Sequence, residues 1–253
     1  MVHDFNKLKQ AGPEIYIFTG HYGSGKTELA INFAELLKVL HPDREVAIAD
    51  MDIVNPFFRT ADAADTLRKE GIRVEVPLYA QSNVDVPALT PQMGYLIENP
   101  EVDLVLDIGG DDVGAKAVGR YSEEIVKRGY NLLFVVNKHR PFTRTPEGAL
   151  KIFRETEASA AIRITGLVNN THLLEYTDGN TLKEGIPLLR ELSEITGVPT
   201  VFHSAFREII TELQNSGDAA QAETDGPVQL NGLPIIPMRE HISLLWDRHD
   251  HSI

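Results

Sequence analysis

Residues 20 to 27 read Gly20-His21-Tyr22-Gly23-Ser24-Gly25-Lys26-Thr27. The spacing G-x-x-x-x-G-K-T is the P-loop pattern. Before it, Glu14-Ile15-Tyr16-Ile17-Phe18-Thr19 is an apolar run of strand length. After it, from Lys26 to about Leu40, Leu29, Phe33, Leu36, Leu37 and Leu40 recur at helical spacing. The glycines therefore fall between a strand and a helix, where the motif needs them. Glycine lets the backbone turn sharply and bring several N–H groups onto one phosphate. The N-terminus of the following helix adds partial positive charge. In such a loop Lys26 reaches the β- and γ-phosphates of a nucleoside triphosphate and Thr27 ligates Mg²⁺. Every residue from Gly20 to Glu28 is thus a candidate for the phosphate site. The competing reading is a glycine-rich turn with a chance match, and the flanking strand and helix argue against it.

Composition narrows the class. With 253 residues, 42% of them hydrophobic, the chain suits one sizeable α/β domain over residues 1–253. A net charge of −13 argues against nucleic-acid and anionic-membrane partners. The absence of cysteine rules out disulfides, thiolate chemistry and Cys-ligated clusters within this chain. The first residues, Met1 to Lys7, contain no apolar signal region, and nowhere is there an apolar run of about 18 residues. A cytoplasmic location is the expectation.

Short apolar runs alternate with longer helical patterns, as parallel βαβ units do. Strands are expected at Glu45–Asp50, Arg73–Pro77, Asp103–Asp107, Asn131–Asn137, Ile162–Asn170 and Val198–His203. Helices are expected from Thr60 to Glu70, after Gly114 to about Arg128, and over Glu147–Glu157, Leu182–Thr196 and Ala205–Gln214. Residues 80–99 read as loop plus one short helix. Residues 215–226, small and polar, read as a mobile loop. Val228–Met238 suggests an edge strand interrupted by Pro234 and Pro237, and a last helix would hold Ile242, Leu245 and Trp246. The fold so implied is a three-layer α/β P-loop domain. It has a mostly parallel sheet, helices on both faces, and the nucleotide at the strands' C-terminal ends.

Two further segments complete a candidate site. Asp107 ends an apolar strand and precedes Gly109-Gly110, so it can hold Mg²⁺, through water in part. Gly110 closes a D-x-x-G whose N–H can bind the γ-phosphate, making the loop sensitive to nucleotide state. Asp50 and Asp52 alternate along an extended segment and so point to the same side. Asp50 is the candidate for positioning Mg²⁺ water and Asp52 for orienting the attacking water. The plainer alternatives are a turn-forming aspartate at 107 and a solvated strand end at 50–52.

Taken together, G-x-x-G-x-G-K-T, then D-x-D, then D-x-G-G resembles the MinD/ParA/nitrogenase-iron-protein branch of P-loop NTPases, over roughly residues 14 to 205. That resemblance implies ATP and Mg²⁺ as ligands, a homodimer with ATP at its interface, and control of a protein partner by nucleotide state. It assigns Asp52 to the water-orienting role. It matches Gly166-Leu167-Val168-Asn169-Asn170 to a strand whose final Asn, Asn170, contacts adenine, with Asn169 as alternate. His21 stands where many members carry a second lysine that crosses the dimer interface; either His21, Arg59 or another residue takes that role, or the dimer mechanism is weakened. The segments GHYGSGKTE, DMDIVNPFFR, DIGGDDVGA and NKHRPFT further resemble a subgroup of such ATPases. The branch's cluster-binding Cys pairs and its membrane-targeting C-terminal helix have no counterpart.

Asn137-Lys138-His139-Arg140 occupies the place of a GTPase N-K-x-D, but Arg140 cannot accept the two hydrogen bonds that guanine offers, which favours ATP. Asn137 and Lys138 read more simply as loop residues. Arg59, Arg140 and Arg144 suit phosphate or carboxylate ligands, although solvated arginines are the commoner case. His249 and His251 read as a frayed tail. Two alternatives to a switch ATPase stay open: an ATP-dependent small-molecule kinase or ligase of the dethiobiotin-synthetase type, and a nucleotide-binding module that does not hydrolyse.

Overall fold

The structure, a computed structural model, describes residues 12, 14–51, 60–75, 91–109, 112–222 and 226–241. Strand β1 (Ile15–Thr19) leads through the glycine loop into α1 (Lys26–Leu40). Then come β2 (Glu45–Asp50), α2 (Thr60–Lys69), β3 (Ile72–Glu75), α3 (Pro91–Glu98) and β4 (Val102–Asp107). They are followed by α4 (Asp112–Gly119), α5 (Ser122–Arg128), β5 (Tyr130–Val136), α6 (Pro146–Ala160) and β6 (Gly166–Asn169). The last elements are α7 (Gly179–Thr196), β7 (Thr200–Phe206), α8 (Arg207–Asn215), β8 (Ala219–Gln221), β9 (Val228–Leu230) and β10 (Leu233–Met238).

The ten strands form one sheet in the order β3-β2-β4-β1-β5-β6-β7-β10-β9-β8. All pairings from β3 to β10 are parallel; only β9 and β8 run antiparallel to their neighbours. Parallel strands covered on both faces read as continuous apolar runs, which is why β1 and β5 carry no polar alternation. Their side chains still alternate in direction. Ile15 and Ile17 join one core with α3 to α7, including Leu96, Val118, Phe153 and Leu189. Tyr16 and Phe18 join the other, with Leu29, Phe33 and Leu37 of α1 and Leu67 of α2. Phe33 lies 4.9 Å from Tyr16, 5.2 Å from Phe18 and 6.2 Å from Phe202 between ring centroids, so aromatic packing seats α1 on the sheet.

The strand expected over Ile162–Asn170 shortens to β6, and three other local expectations change. In place of a single helix to about Arg128 there are two, breaking at Gly119-Arg120-Tyr121. A Cβ at Gly119 would lie 2.9 Å from the Ser159 carbonyl oxygen, so α4 ends where its backbone lies against the C-terminal end of α6. Of the expected loop 215–226, residues 219–221 are strand β8, because β9 offers them an antiparallel partner. The expected edge strand over 228–238 is a hairpin whose β10 lies inside the sheet, between β7 and β9. Its turn is Asn231-Gly232, with φ of +52° and +77°, the two-residue turn that suits the twist of a hairpin. β9 pairs only with Leu233 and Pro234, so beyond them β10 is paired on one side alone, where the missing N–H of Pro237 is tolerated. The helix expected to hold Ile242, Leu245 and Trp246 and the tail with His249 and His251 lie outside the described residues.

His203 links three of these strands. Its Nδ1 accepts from the Asn169 amide at 3.1 Å, so its Nε2–H donates to the Leu230 carbonyl at 3.2 Å. The neutral ring satisfies both partners, and burial pushes its pKa down to about 4. The unfolded chain takes up that proton near 6.5, so the contribution is complete above 6.5 and is lost as pH falls toward 4. His172 shifts the same way, whereas the lowered carboxyls of Glu35, Asp178 and Asp218 act only below about 4.5. Urea midpoints will therefore drop between pH 7 and pH 5, and His203→Asn will show a smaller drop than wild type. Equal drops would mean that His203 is not the group taking up the proton.

Candidate functional site

The site follows from counting along the strands. Phe18, Val105, Ile48, Val135, Val168 and Phe202 all point into the core beneath α1. Two residues beyond five of them stand Asp107, Asp50, Asn137, Asn170 and Ser204. Period-two alternation puts these side chains on the α1 side of the sheet, toward the C-terminal ends of the parallel strands β2 and β4 on one flank of β1 and β5, β6 and β7 on the other. The register agrees: Asp107 pairs with both Phe18 and Asp50. All five are buried, Asp107 and Asn137 completely.

Above them sits the glycine loop. A Cβ at Gly20 would lie 2.4 Å from the Val135 carbonyl oxygen, so only glycine lets the chain leave β1 this close to β5. Gly25 has φ of +81°, and a Cβ there would meet the Asn170 amide nitrogen at 2.3 Å. Gly25 is also the N-cap of α1, and no side chain caps this helix end. The amides of the first turn have no carbonyl within the helix to bind. They point toward the loop with the positive end of the helix dipole. Lys26 and Thr27 start the helix and are 6% and 5% exposed. Glu28 turns the other way, toward the end of the described chain; its Oε1 accepts from the His241 backbone N–H at 2.7 Å.

The neighbouring residues hold the loop's shape. Asn170 donates to the Ser24 carbonyl at 2.7 Å and accepts from the Ser204 hydroxyl at 2.8 Å. Asn169, one residue earlier, faces the other way, toward Leu182 and His203. Arg140 Nε donates to the Gly23 carbonyl at 2.6 Å. The His21 ring packs on Phe142, 4.8 Å between centroids, while Tyr22 is 58% exposed. His172 lies over Gly25, its Nε2 being 3.2 Å from a Cβ placed there. Burial first, then the charges of Arg140 and His139, pushes its pKa down to about 4, so it is neutral at pH 7. Asp52, Arg59 and Gly110 lie outside the described residues.

The resemblance assigns Asn170 to adenine; in the fold its amide bonds the Ser24 carbonyl and the Ser204 hydroxyl. Ser204, His172 and Phe142 escape the sequence reading. Ser204 has a signal, since it falls two residues after buried Phe202, but nothing local marks His172. The oxygens of Thr27, Asp50 and Asp107 form a hard donor set that fits Mg²⁺. Among the described residues no group of three or more His, Cys, Asp or Glu side chains is placed to hold a metal by itself. Among the described residues, no helix is long and apolar enough to cross a membrane.

No protein-family model matches the chain, and no curated protein does. Among solved structures it is similar to the cell division protein FtsY of Thermotoga maritima, with 21% identity and a TM-score of 0.47 over 76% of this chain and 62% of that one. It is also similar to the signal recognition particle receptor FtsY of Elizabethkingia anophelis, with 17% identity and a TM-score of 0.44 over 78% of this chain and 62% of that one. A nucleotide-binding protein from Archaeoglobus fulgidus in complex with ADP is 13% identical, with a TM-score of 0.39 over 79% of this chain and 84% of that one. The chain thus spans less than two thirds of the length of either FtsY. These likenesses are distant, and the chemistry open to the chain is set by the residues of its own site.

Asn170→Ala removes the amide's bond to the Ser24 carbonyl and leaves the Ser204 hydroxyl only its longer 3.4 Å bond to the Asn169 carbonyl, at an expected cost of about 1–3 kcal/mol. Chemical denaturation will measure that cost. Hydrogen exchange will show faster opening of the amides from Ser24 to Thr27; unchanged exchange would mean that Asn170 does not hold the loop.

Proposed function

We propose that the chain is a Mg²⁺-dependent ATP-binding protein and ATPase, a single cytoplasmic domain that works as a homodimeric switch on a protein partner. The observation that most supports this is the uncapped N-terminus of α1, set under a glycine loop with Lys26 and Thr27 buried beside it. Loop amides, helix dipole and Lys26 together make a cradle for two or three phosphates. Asp50 and Asp107 stand in register on the same side. Two buried carboxylates next to phosphates would repel them, so the arrangement calls for a cation between.

Thr27, Asp50 and Asp107 are the residues that would hold Mg²⁺, which when bound neutralises charge on the phosphate oxygens. In the reaction, water oriented by Asp52 attacks the γ-phosphorus. The new P–O bond forms as the bond to the β–γ bridging oxygen breaks, releasing ADP and phosphate. Lys26 and the loop amides stabilise the charge on the transferring group. ATP is preferred over GTP because Arg140 replaces the carboxylate that would read guanine, and Asn137 commits its amide to the fold, donating to the His172 carbonyl at 3.0 Å. The homodimer and the protein partner rest on the resemblance carried by the P-loop, D-x-D and D-x-G-G segments.

Lys26→Ala should weaken ATP binding about ten- to a hundredfold through loss of charge-assisted bonds. Asp52→Ala should bind ATP nearly as wild type does yet release no phosphate; if it hydrolyses like wild type, the assignment of Asp52 fails. Sedimentation with no nucleotide, with Mg·ADP and with a non-hydrolysable Mg·ATP analogue tests the switch, which requires a dimer specific to the ATP analogue. A single oligomeric state throughout, without phosphate release, would instead favour a small-molecule enzyme or a silent binding module.

A further inference from the structure

The loop after β5 is knotted before its side chains reach anything else. Thr143 Oγ1 donates to the Asn137 carbonyl at 2.7 Å, and the Arg140 backbone N–H donates to the same oxygen at 3.1 Å. The Thr143 backbone N–H donates to the Arg140 carbonyl at 3.0 Å. Asn137 Oδ1 accepts from the His139 backbone N–H at 2.9 Å, and Asn137 and Thr143 are both fully buried. Both backbone groups of Arg140 are therefore fixed, and its side chain leaves from a rigid base. From there Nε donates to the Gly23 carbonyl at 2.6 Å.

Gly23 is the sensitive point of the P-loop. A 3.0 Å bond from the Ser24 N–H to the His21 carbonyl closes a turn in which Gly23 is the third residue, with φ of +74°. The Gly23 carbonyl and the Ser24 N–H belong to one rigid peptide plane. Fixing the carbonyl fixes how that plane is tilted, in a segment whose glycines otherwise give it wide conformational freedom. Phe142, two residues after Arg140, adds a second contact through the His21 ring. The lowered pKa of His172, which owes part of its shift to Arg140, agrees with a guanidinium held close above the loop.

We propose that Arg140 is a positioning residue of the nucleotide site, which holds the crown of the phosphate loop through the Gly23 carbonyl from within the same chain. The proposal rests on the glycine loop being a nucleotide site. It gives the residue that replaces a base-reading carboxylate a task at the phosphates, carried out through the backbone and not by contact with the ligand. Holding a long guanidinium in one rotamer opposes that task through lost side-chain entropy. A rigid loop that presents it keeps that cost low at the moment of binding.

The test compares three variants for affinity to Mg·ADP, by calorimetric titration, and for melting temperature. Arg140→Ala should lose about ten- to a hundredfold in affinity with little change in melting temperature. Arg140→Gln places an amide nitrogen as many bonds from the backbone as Nε and should restore most of the loss without any charge. Arg140→Lys keeps the charge but has no N–H at that position and should not restore it. The reverse pattern, rescue by Lys and not by Gln, would overturn the proposal by making Arg140 a direct phosphate contact. Wild-type affinity in Arg140→Ala would overturn it too, while leaving the assignment of an ATP site intact. Wild type that binds no nucleotide would fail that assignment and the proposal with it. Should the Ala variant not fold, the Gln and Lys pair still decides.

Discussion

Helix α1 begins without a side-chain cap, on a glycine in the left-handed conformation. A Ser, Thr, Asp or Asn at that position would satisfy one of the orphaned amides and would also fill the space in front of them. Gly25 carries no side chain to do either and lets the loop close onto Asn170. Under the proposed function this helix end takes an anion where most helices take their own side chain. Such a start is stable only if the helix is held by other means, and here the apolar face holds it through Phe33 and its ring of aromatics on β1 and β7.

Both flanks of α1 are fixed as well. At its far end the fully buried Asp103 accepts from the Glu14 backbone N–H at 3.1 Å and meets His41 at 3.2 Å and Arg44 at 3.5 Å. This ties the end of the helix to β4 and to the chain entering β1. Along its outer side the segment after β10 is strapped down by a reciprocal pair: Asn32 donates to the Arg239 carbonyl at 2.9 Å, and the Arg239 N–H donates back to Asn32 Oδ1 at 2.7 Å. The Arg239 guanidinium reaches Glu35 and Glu70, joining α1 to α2. These contacts set the direction of the helix dipole and the position of Lys26 within the fold, and under the proposed function preorganisation of that kind lowers the cost of binding.

Much of this is legible in the chain because parallel strands and amphipathic helices leave simple periodic marks. The strand–glycine–helix order locates the phosphate loop. The choice of Asn170 over Asn169 comes from the resemblance, and in the fold Asn170 is the one on the α1 side, two residues past Val168. Other features carry a signal that is easily overridden. Asn231-Gly232 between two short apolar runs is a hairpin turn in plain sight, but Pro234 and Pro237 argue against a strand inside a sheet. The break at Gly119 has no reliable mark, because glycine inside a helical pattern is tolerated unless another helix crosses there.

The sequence by itself determined most of the order of strands and helices, the glycine loop, and Asp50 and Asp107 as strand-ending carboxylates. These are local or periodic properties, written in consecutive residues and in their spacing. The tertiary structure alone decided which side chains brace the loop. Arg140 lies 117 residues from Gly23 and Asn170 lies 146 from Ser24, and their contacts exist only because β5 and β6 follow β1 in the sheet. No pattern within a short window carries that strand order, since it is set by how the two cores pack on either face. The same reason makes Arg140 read as an ordinary loop arginine in the chain and as a clamp in the fold.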